Sequence, residues 1–523
     1  MSPIVASSQA NRRAGRLRSR TCAGVPLLGL LGLAMLDAHA QDASTSGRKA
    51  LTVVPSVSVN EMLTNNAKLS DSEKRADLVS EVTPAIRMQA ASARFQGSLD
   101  YSVMGLDYAR GTDKDSVQQN LAADMKAQLV DDAVFFDANA NVSRQNISPL
   151  GTPTPDAALR TSNQTQVSSF AVDPYVRGRL GGFADYQLGV NYAWTHAGAQ
   201  SIGDTQNASQ TLHVGPDAPL ARVNWAVDAS RQTTDFSLGR KTTTESVVGS
   251  LLFTPVGEVQ LSLRGGREAN DLQTVELHNT ATYGGGLRWI PSERTSLSIQ
   301  DDKHFYGNSY SVNFEHRSAS AVLSFGFSRS GNFDSSTASQ GQPMTAFDLV
   351  YLQLTSKYPD PIARANQALI DLQALGLNPL STVPSGFLTN AVSLQKSAFA
   401  SFGYLGQRSS LILSVQQSES TRLDTLSSAV DLLSDGGTIR LRSATLSASR
   451  QLTPQSSASL NLAESRSYDL TSGSRVDLRS VVANWSTQLG MRTQMSLGAR
   501  HSIASGESSY VESALLATLT LQF

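Results

Sequence analysis

The feature that most restricts this chain is a strict alternation of apolar and polar residues, clearest between Tyr283 and Ser330. Tyr283, Gly285, Leu287 and Trp289 share one parity, and Gly284, Gly286 and Arg288 the other. After a turn at Pro291-Ser292-Glu293-Arg294, Leu297 and Ile299 alternate with Ser296, Ser298 and Gln300. Tyr310, Val312 and Phe314, and then Ala321, Leu323, Phe325 and Phe327, continue the pattern. Successive side chains of a strand point to opposite faces, so a period of two predicts strands whose faces meet different surroundings. A water-soluble sandwich would give the same period, and alternation alone leaves both folds open.

The end of the chain separates them. In Ala514 to Phe523, the residues Leu515, Ala517, Leu519, Leu521 and Phe523 share a face, and Thr518, Thr520 and Gln522 share the other. This amphipathic strand with a terminal aromatic resembles the C-terminal signal of bacterial outer-membrane barrels. The resemblance implies that Leu519, Leu521 and Phe523 are read by the barrel assembly machinery and that their strand closes a barrel.

The connections point the same way. One set is short, near Leu489-Gly490, Thr453-Pro454, Pro291 to Arg294, Thr254 to Gly257 and Ala90 to Ser92. The intervening set is mostly longer and more polar, as at Asn65 to Lys74, Asn146 to Ser162, Gly331 to Ala391 and Glu419 to Gly437. Short periplasmic turns opposite long outer loops are the plan of an up-and-down membrane barrel. Pro255 to Pro291, and Pro454 to Gly490, repeat a unit of two strands, a turn and a loop. The expectation is therefore all-β: a transmembrane antiparallel up-and-down β-barrel of about 22 strands, in a range of roughly 18 to 22, surrounded by outer-membrane lipid. The longest loop, 331–391, is expected to be extracellular and to carry one short helix at 359–375, where Ile362, Ala365, Leu369, Leu372 and Leu375 approach helical spacing.

The first forty residues read as an address. Arg12, Arg13, Arg16, Arg18 and Arg20 precede an apolar run from Val25 to Leu36 and an Ala38-His39-Ala40 site, which predicts a secretory signal peptide over 1–40 and a mature barrel over 41–523. Gln41 to Ala50 is expected to lead straight into strands, without a plug domain. The single cysteine, Cys22, falls in the leader, so the expected mature chain has no disulfide and no thiol ligand or nucleophile. Without the leader's five arginines and Asp37, the 43 basic and 44 acidic residues become 38 and 43. That balance offers no basic field for nucleic acid.

Trp289, Pro291, the Glu293-Arg294-Thr295 run, Phe305, Gly307, Tyr310 and His316-Arg317 together resemble a family of outer-membrane β-barrels associated with the PEP-CTERM and exosortase system of exopolysaccharide-producing bacteria. Pro55 to Val59, Thr83-Pro84, Pro174-Tyr175 and Glu268 to Asp271 extend the likeness. Asn65-Asn66 and His304 depart from the family's pattern. The resemblance implies a barrel acting as a passage or docking element in polysaccharide export at the bacterial outer membrane, with polysaccharide and a periplasmic export protein as partners. A general porin or solute channel, with 331–391 as its constriction loop, and a structural or adhesin barrel with a filled lumen are the alternatives.

No catalytic motif stands out: G-x-S-x-G, H-E-x-x-H and P-loop patterns are missing from the sequence. An enzyme is not expected, nor a metal or cofactor site. With the apolar parity facing lipid, Arg264, Glu268, Arg288, Gln300, Asp302 and Arg500 become candidate lumen-lining residues. Their mixed sign suits a neutral or weakly charged glycan and does not form the one-sign ring of a strongly ion-selective pore.

Overall fold

The computed structural model describes residues 51–199, 201–217, 222–333, 337–338, 350–352, 354, 364, 367–368, 386–427 and 431–523. The expected signal peptide lies outside the described residues. So does the expected helix 359–375, apart from Arg364, Gln367 and Ala368, which are helical.

The chain forms one 22-stranded antiparallel sheet in which each strand pairs with the next. Leu51–Thr64 pairs with Tyr510–Gln522, from Ser56 opposite Gln522 to Thr64 opposite Ala514, and closes the sheet into a barrel. The amide of Phe523 adds a bond to the Pro55 carbonyl at 3.0 Å. Closure leaves no edge strand, which a backbone in lipid requires because no water is there to satisfy open amides and carbonyls.

Parity decides the two faces. Leu263, Trp289, Phe325, Leu413, Trp485, Leu497 and Leu519 are all exposed on the outer face. A single barrel that leaves such residues uncovered is one whose solvent there is hydrocarbon. Leu519, Leu521 and Phe523 lie on this outward surface.

Turn chemistry explains the repeated hairpins. The ladder shifts register between Phe253 and Val256, between Trp289 and Ser292, between Gln451 and Thr453, and between Gln488 and Gly490, each beside a short turn. Pro255 and Pro291 fall inside two of these bulges, where an absent N–H breaks no ladder bond. Pro84 and Pro174 have the same effect within strands, since pairing to one neighbour lapses around each of them.

Turns at the end where Leu51 and Phe523 lie are short, as at 92–94, 293–294 and 491–492, and the long connections 65–76, 147–163, 333–392 and 423–437 leave and re-enter the strands at the other end. The alternation has exceptions: the loop end also contains the two-residue hairpin Phe305-Tyr306 and the three-residue connection 507–509. Gly307, at φ +101°, supplies the backbone conformation that the first of these tight turns needs.

Candidate functional site

The inward face starts with how charge is disposed. Arg87 meets Asp100 at 2.6 Å and His213 meets Asp228 at 2.6 Å, both pairs about half exposed to the lumen. Arg264 reaches Asp302 at 3.3 Å although a whole strand lies between them. The register runs Arg264, Gly284, Asp302, and Gly284 is what allows the contact. A Cβ on Gly284 would lie 2.1 Å from the Asp302 Oδ1 and 2.3 Å from the Asp301 carbonyl oxygen. Gln300 also donates to Asp302. Glu268 accepts from the backbone amide of Phe305 and contacts His304 Nδ1 at 2.8 Å, which fastens the tight hairpin to strand Val259–Asn270 across the strand between them. Arg288, opposite Gln260 and Ser298, is exposed on the inward face.

Arg500 sits differently. Its side chain is 2 % exposed and binds Glu512 at 3.0 Å and Asp156 of the loop 147–163. Thr64 Oγ1 donates to the same Glu512 at 2.9 Å. Two tyrosines grip this loop as well: Tyr108 donates to the Ala158 carbonyl and Tyr510 to the Pro153 carbonyl, each at 2.7 Å. Ala158 and Leu159 are thereby buried against Met62, Val79 and Tyr108 on the inward wall. The loop has folded into the mouth of the barrel.

A second segment crosses the mouth. Thr337–Ala338 and Phe387–Leu388 pair antiparallel near the two ends of the long connection. Phe387 packs with Leu433, Ile439 and Leu441, while Leu388 packs with Val167, Ala197 and Ile202. Ile439 lies on the eighteenth barrel strand and Ala197 on the seventh, half a circuit apart among 22. Thr389 and Asn390 then tie three connections together. Asn390 accepts from the Gly203 amide at 2.9 Å and donates to the Ser201 carbonyl at 3.2 Å, and its own amide donates to Asp431 at 3.0 Å. Thr389 donates to the same Asp431 carboxylate at 2.8 Å.

The short-turn half of the lumen holds an aromatic shelf. Phe135 and Tyr175, opposite one another on neighbouring strands, stack at 4.9 Å with Arg177 over the Phe135 ring. On its other side Tyr175 is opposite Gly189, so the position directly across from it carries no side chain. Asp137 and Asp173 face one another one register step away, and Thr211 lies opposite Gly189. Ring faces beside carboxylates and a hydroxyl can take the C–H face of a sugar and the hydroxyls at its rim.

No family model and no curated protein matches the sequence. Among solved structures it is similar to the siderophore receptor PirA from Pseudomonas aeruginosa, at 10 % identity over 90 % of this chain and 80 % of that one, with a TM-score of 0.43. The FrpB iron transporter from Neisseria meningitidis, in its F5-1 apoprotein form, is similar at 10 % identity over 90 % and 81 %, with a TM-score of 0.47. PirA from Acinetobacter baumannii is similar at 8 % over 90 % and 80 %, also at 0.47. At this level of likeness no cargo passes from them to this chain.

The residues carrying the family resemblance divide between the two ends of the barrel. Thr295 Oγ1 and His316 Nδ1 are 2.9 Å apart, the Arg317 amide donates to the Arg294 carbonyl at 2.8 Å, and Arg317 also binds Glu315 at 3.3 Å. All of these contacts lie at the short-turn end, beside the register shift that holds Pro291. Gly307 makes the opposite hairpin, and Tyr310 packs edge-on to Phe327. Sequence reasoning missed Phe135, Asp156, Asn390 and Glu512, because each acquires its role from a partner distant in the chain.

Proposed function

We propose that this barrel is a closed-mouthed passage for a neutral or weakly charged glycan across the outer membrane, in the exopolysaccharide setting implied by the family resemblance. The observation that carries the reading is the shelf of Tyr175, Asp137, Asp173 and Thr211 on the inward face, with no side chain at Gly189 directly across from Tyr175. Pairing of Arg87 with Asp100 and of Arg264 with Asp302 supports the same cargo, because internally matched charges neither attract nor reject a neutral polymer. The strap Phe387 to Asn390 and the loop around Asp156 would then be a gate, held by its polar contacts and by the apolar packing of Phe387, Leu388 and Leu159, which an outward-moving chain or a periplasmic partner would have to displace.

The test is current block in a planar bilayer holding the full chain, with loops released by Asn390→Ala, and dextran added on the short-turn side. Dextran should interrupt the current, and Tyr175→Ala should shorten each block at least several-fold. Equal blocks in both proteins would remove the shelf from the account. An open pore indifferent to dextran would favour a general solute channel.

A further inference from the structure

The outward face carries a site of its own, independent of whatever passes through the lumen. Across the strands Ser393–Leu405, Ser409–Arg422, Thr438–Thr453, Ser456–Asp469 and Arg475–Gly490, the ladder sets outward side chains in rows. One row reads Phe402, Leu413, Leu446, Leu462, Val481, and belongs to the apolar belt. The next row toward the long loops reads Ala400, Val415, Ala444, Glu464, Arg479, the next Ala398, Gln417, Arg442, Arg466, Asp477, and the last Lys396, Glu419, Arg440, Tyr468, Arg475. Along Thr438–Thr453, Ser456–Asp469 and Arg475–Gly490 the outward surface changes from leucine or valine to guanidinium within two to four residues.

This patch holds six cations, Lys396, Arg440, Arg442, Arg466, Arg475 and Arg479, against three carboxylates, Glu419, Glu464 and Asp477. Glu419 is shared by Lys396 and Arg440, and Glu464 by Arg466 at 2.5 Å and Arg479 at 3.0 Å. Arg442 donates to Gln417 at 2.7 Å and lies 6.0 Å from the Tyr468 ring centroid, and among the described residues it pairs with no carboxylate. Beside it the small side chains Ala398, Ala400 and Ala444 leave a depression of about 440 Å³, walled by Val415, Gln417, Arg442, Glu464 and Arg466.

We infer that this depression seats the phosphorylated headgroup of an outer-leaflet lipid, with Arg442 and Arg466 on the phosphate and an acyl chain over the alanine floor. Three observations favour a lipid over a soluble anion. The floor is continuous with the apolar belt, the surplus of cations faces outward and not the lumen, and the guanidiniums begin within two to four residues of the belt along their strands. Guanidinium and phosphate make charge-assisted, often bidentate hydrogen bonds, which fits arginine rather than lysine at the centre of the patch.

The experiment is native mass spectrometry of the full chain in neutral detergent, titrated with bisphosphorylated lipid A and with its dephosphorylated form. The wild type should retain the phosphorylated lipid, and Arg442→Gln with Arg466→Gln should weaken retention about tenfold. Ala444→Phe fills the floor while keeping every charge and should cause a comparable loss, whereas Arg231→Gln, elsewhere on the outer face, should cause none. Equal retention of the dephosphorylated lipid, or unchanged retention in both site variants, overturns the inference. Release by an equal concentration of inorganic phosphate would also overturn it, by assigning the site to a free anion.

Discussion

Asn390 is the smallest lever on the proposed gate. Its side chain makes two bonds to the loop 198–204, a buried one from the Gly203 amide and a partly buried one to the Ser201 carbonyl, and the residue is 2 % exposed. Asn390→Ala removes both and leaves an amide and a carbonyl without those partners. At about 1 kcal/mol net for each bond, the closed arrangement loses roughly 2 kcal/mol. Since 1.4 kcal/mol is a factor of ten in an equilibrium, the ratio of open to closed mouths should rise about thirtyfold. The backbone bond from the Asn390 amide to Asp431 survives the substitution, so the strap should loosen from the seventh and eighth strands and stay tied to the loop 423–437. Single-channel recording in a planar bilayer reads the open fraction directly, and heat-modifiable migration on a gel checks that the barrel has assembled. An assembled Asn390→Ala barrel that gates as rarely as wild type would refute the idea that these bonds hold the mouth shut.

Asp156→Ala should also raise the open fraction, because it frees the loop 147–163 from Arg500 while Glu512 keeps that buried guanidinium paired. Glu512→Ala should instead lower the yield of folded barrel by several-fold, since it strips a fully buried arginine of its inner partner; folding yield in detergent distinguishes the two. Gly284→Ala should lower the urea midpoint, by an amount corresponding to about 1–3 kcal/mol, as its methyl displaces Asp302 and crowds the Asp301 carbonyl. Gly265→Ala, where a Cβ meets nothing within 4 Å, should not. Leu297→Arg puts charge on the outer face between Trp289 and Phe314, between interface and midplane, at a cost of about 1–2 kcal/mol that should lower assembly, while Ser298→Arg points inward and should assemble normally.

What could be read from the sequence was what depends on neighbours in the chain. Inward or outward facing is set by parity, so the lipid face from Leu297 to Phe327 and the closing strand to Phe523 could be assigned from alternation. Turns could be placed because Pro255, Pro291 and Pro454 cannot donate to a ladder. Pairings across the barrel left no such trace. Arg264 and Asp302 meet only because the strand between them presents Gly284, and nothing near Arg264 in the sequence announces that register. Arg500 has the inward parity expected of a lumen-lining residue, but its burial comes from Asp156, 344 positions away. The Tyr175 shelf needs Phe135 on one side and a missing side chain at Gly189 on the other, three residues from three strands. The two-residue hairpin at Phe305-Tyr306 broke the pattern of long outer loops because Gly307 and the Glu268 contacts make a tight turn stable there.

Whether this barrel carries glycan outward is read from polysaccharide partition in the native host with the chain deleted and then restored. If it does, polymer collects in the periplasm of the deletion strain, wild type returns it to the medium, and Tyr175→Ala does so poorly while assembling normally. Secretion that is unchanged without the chain would rule glycan transport out.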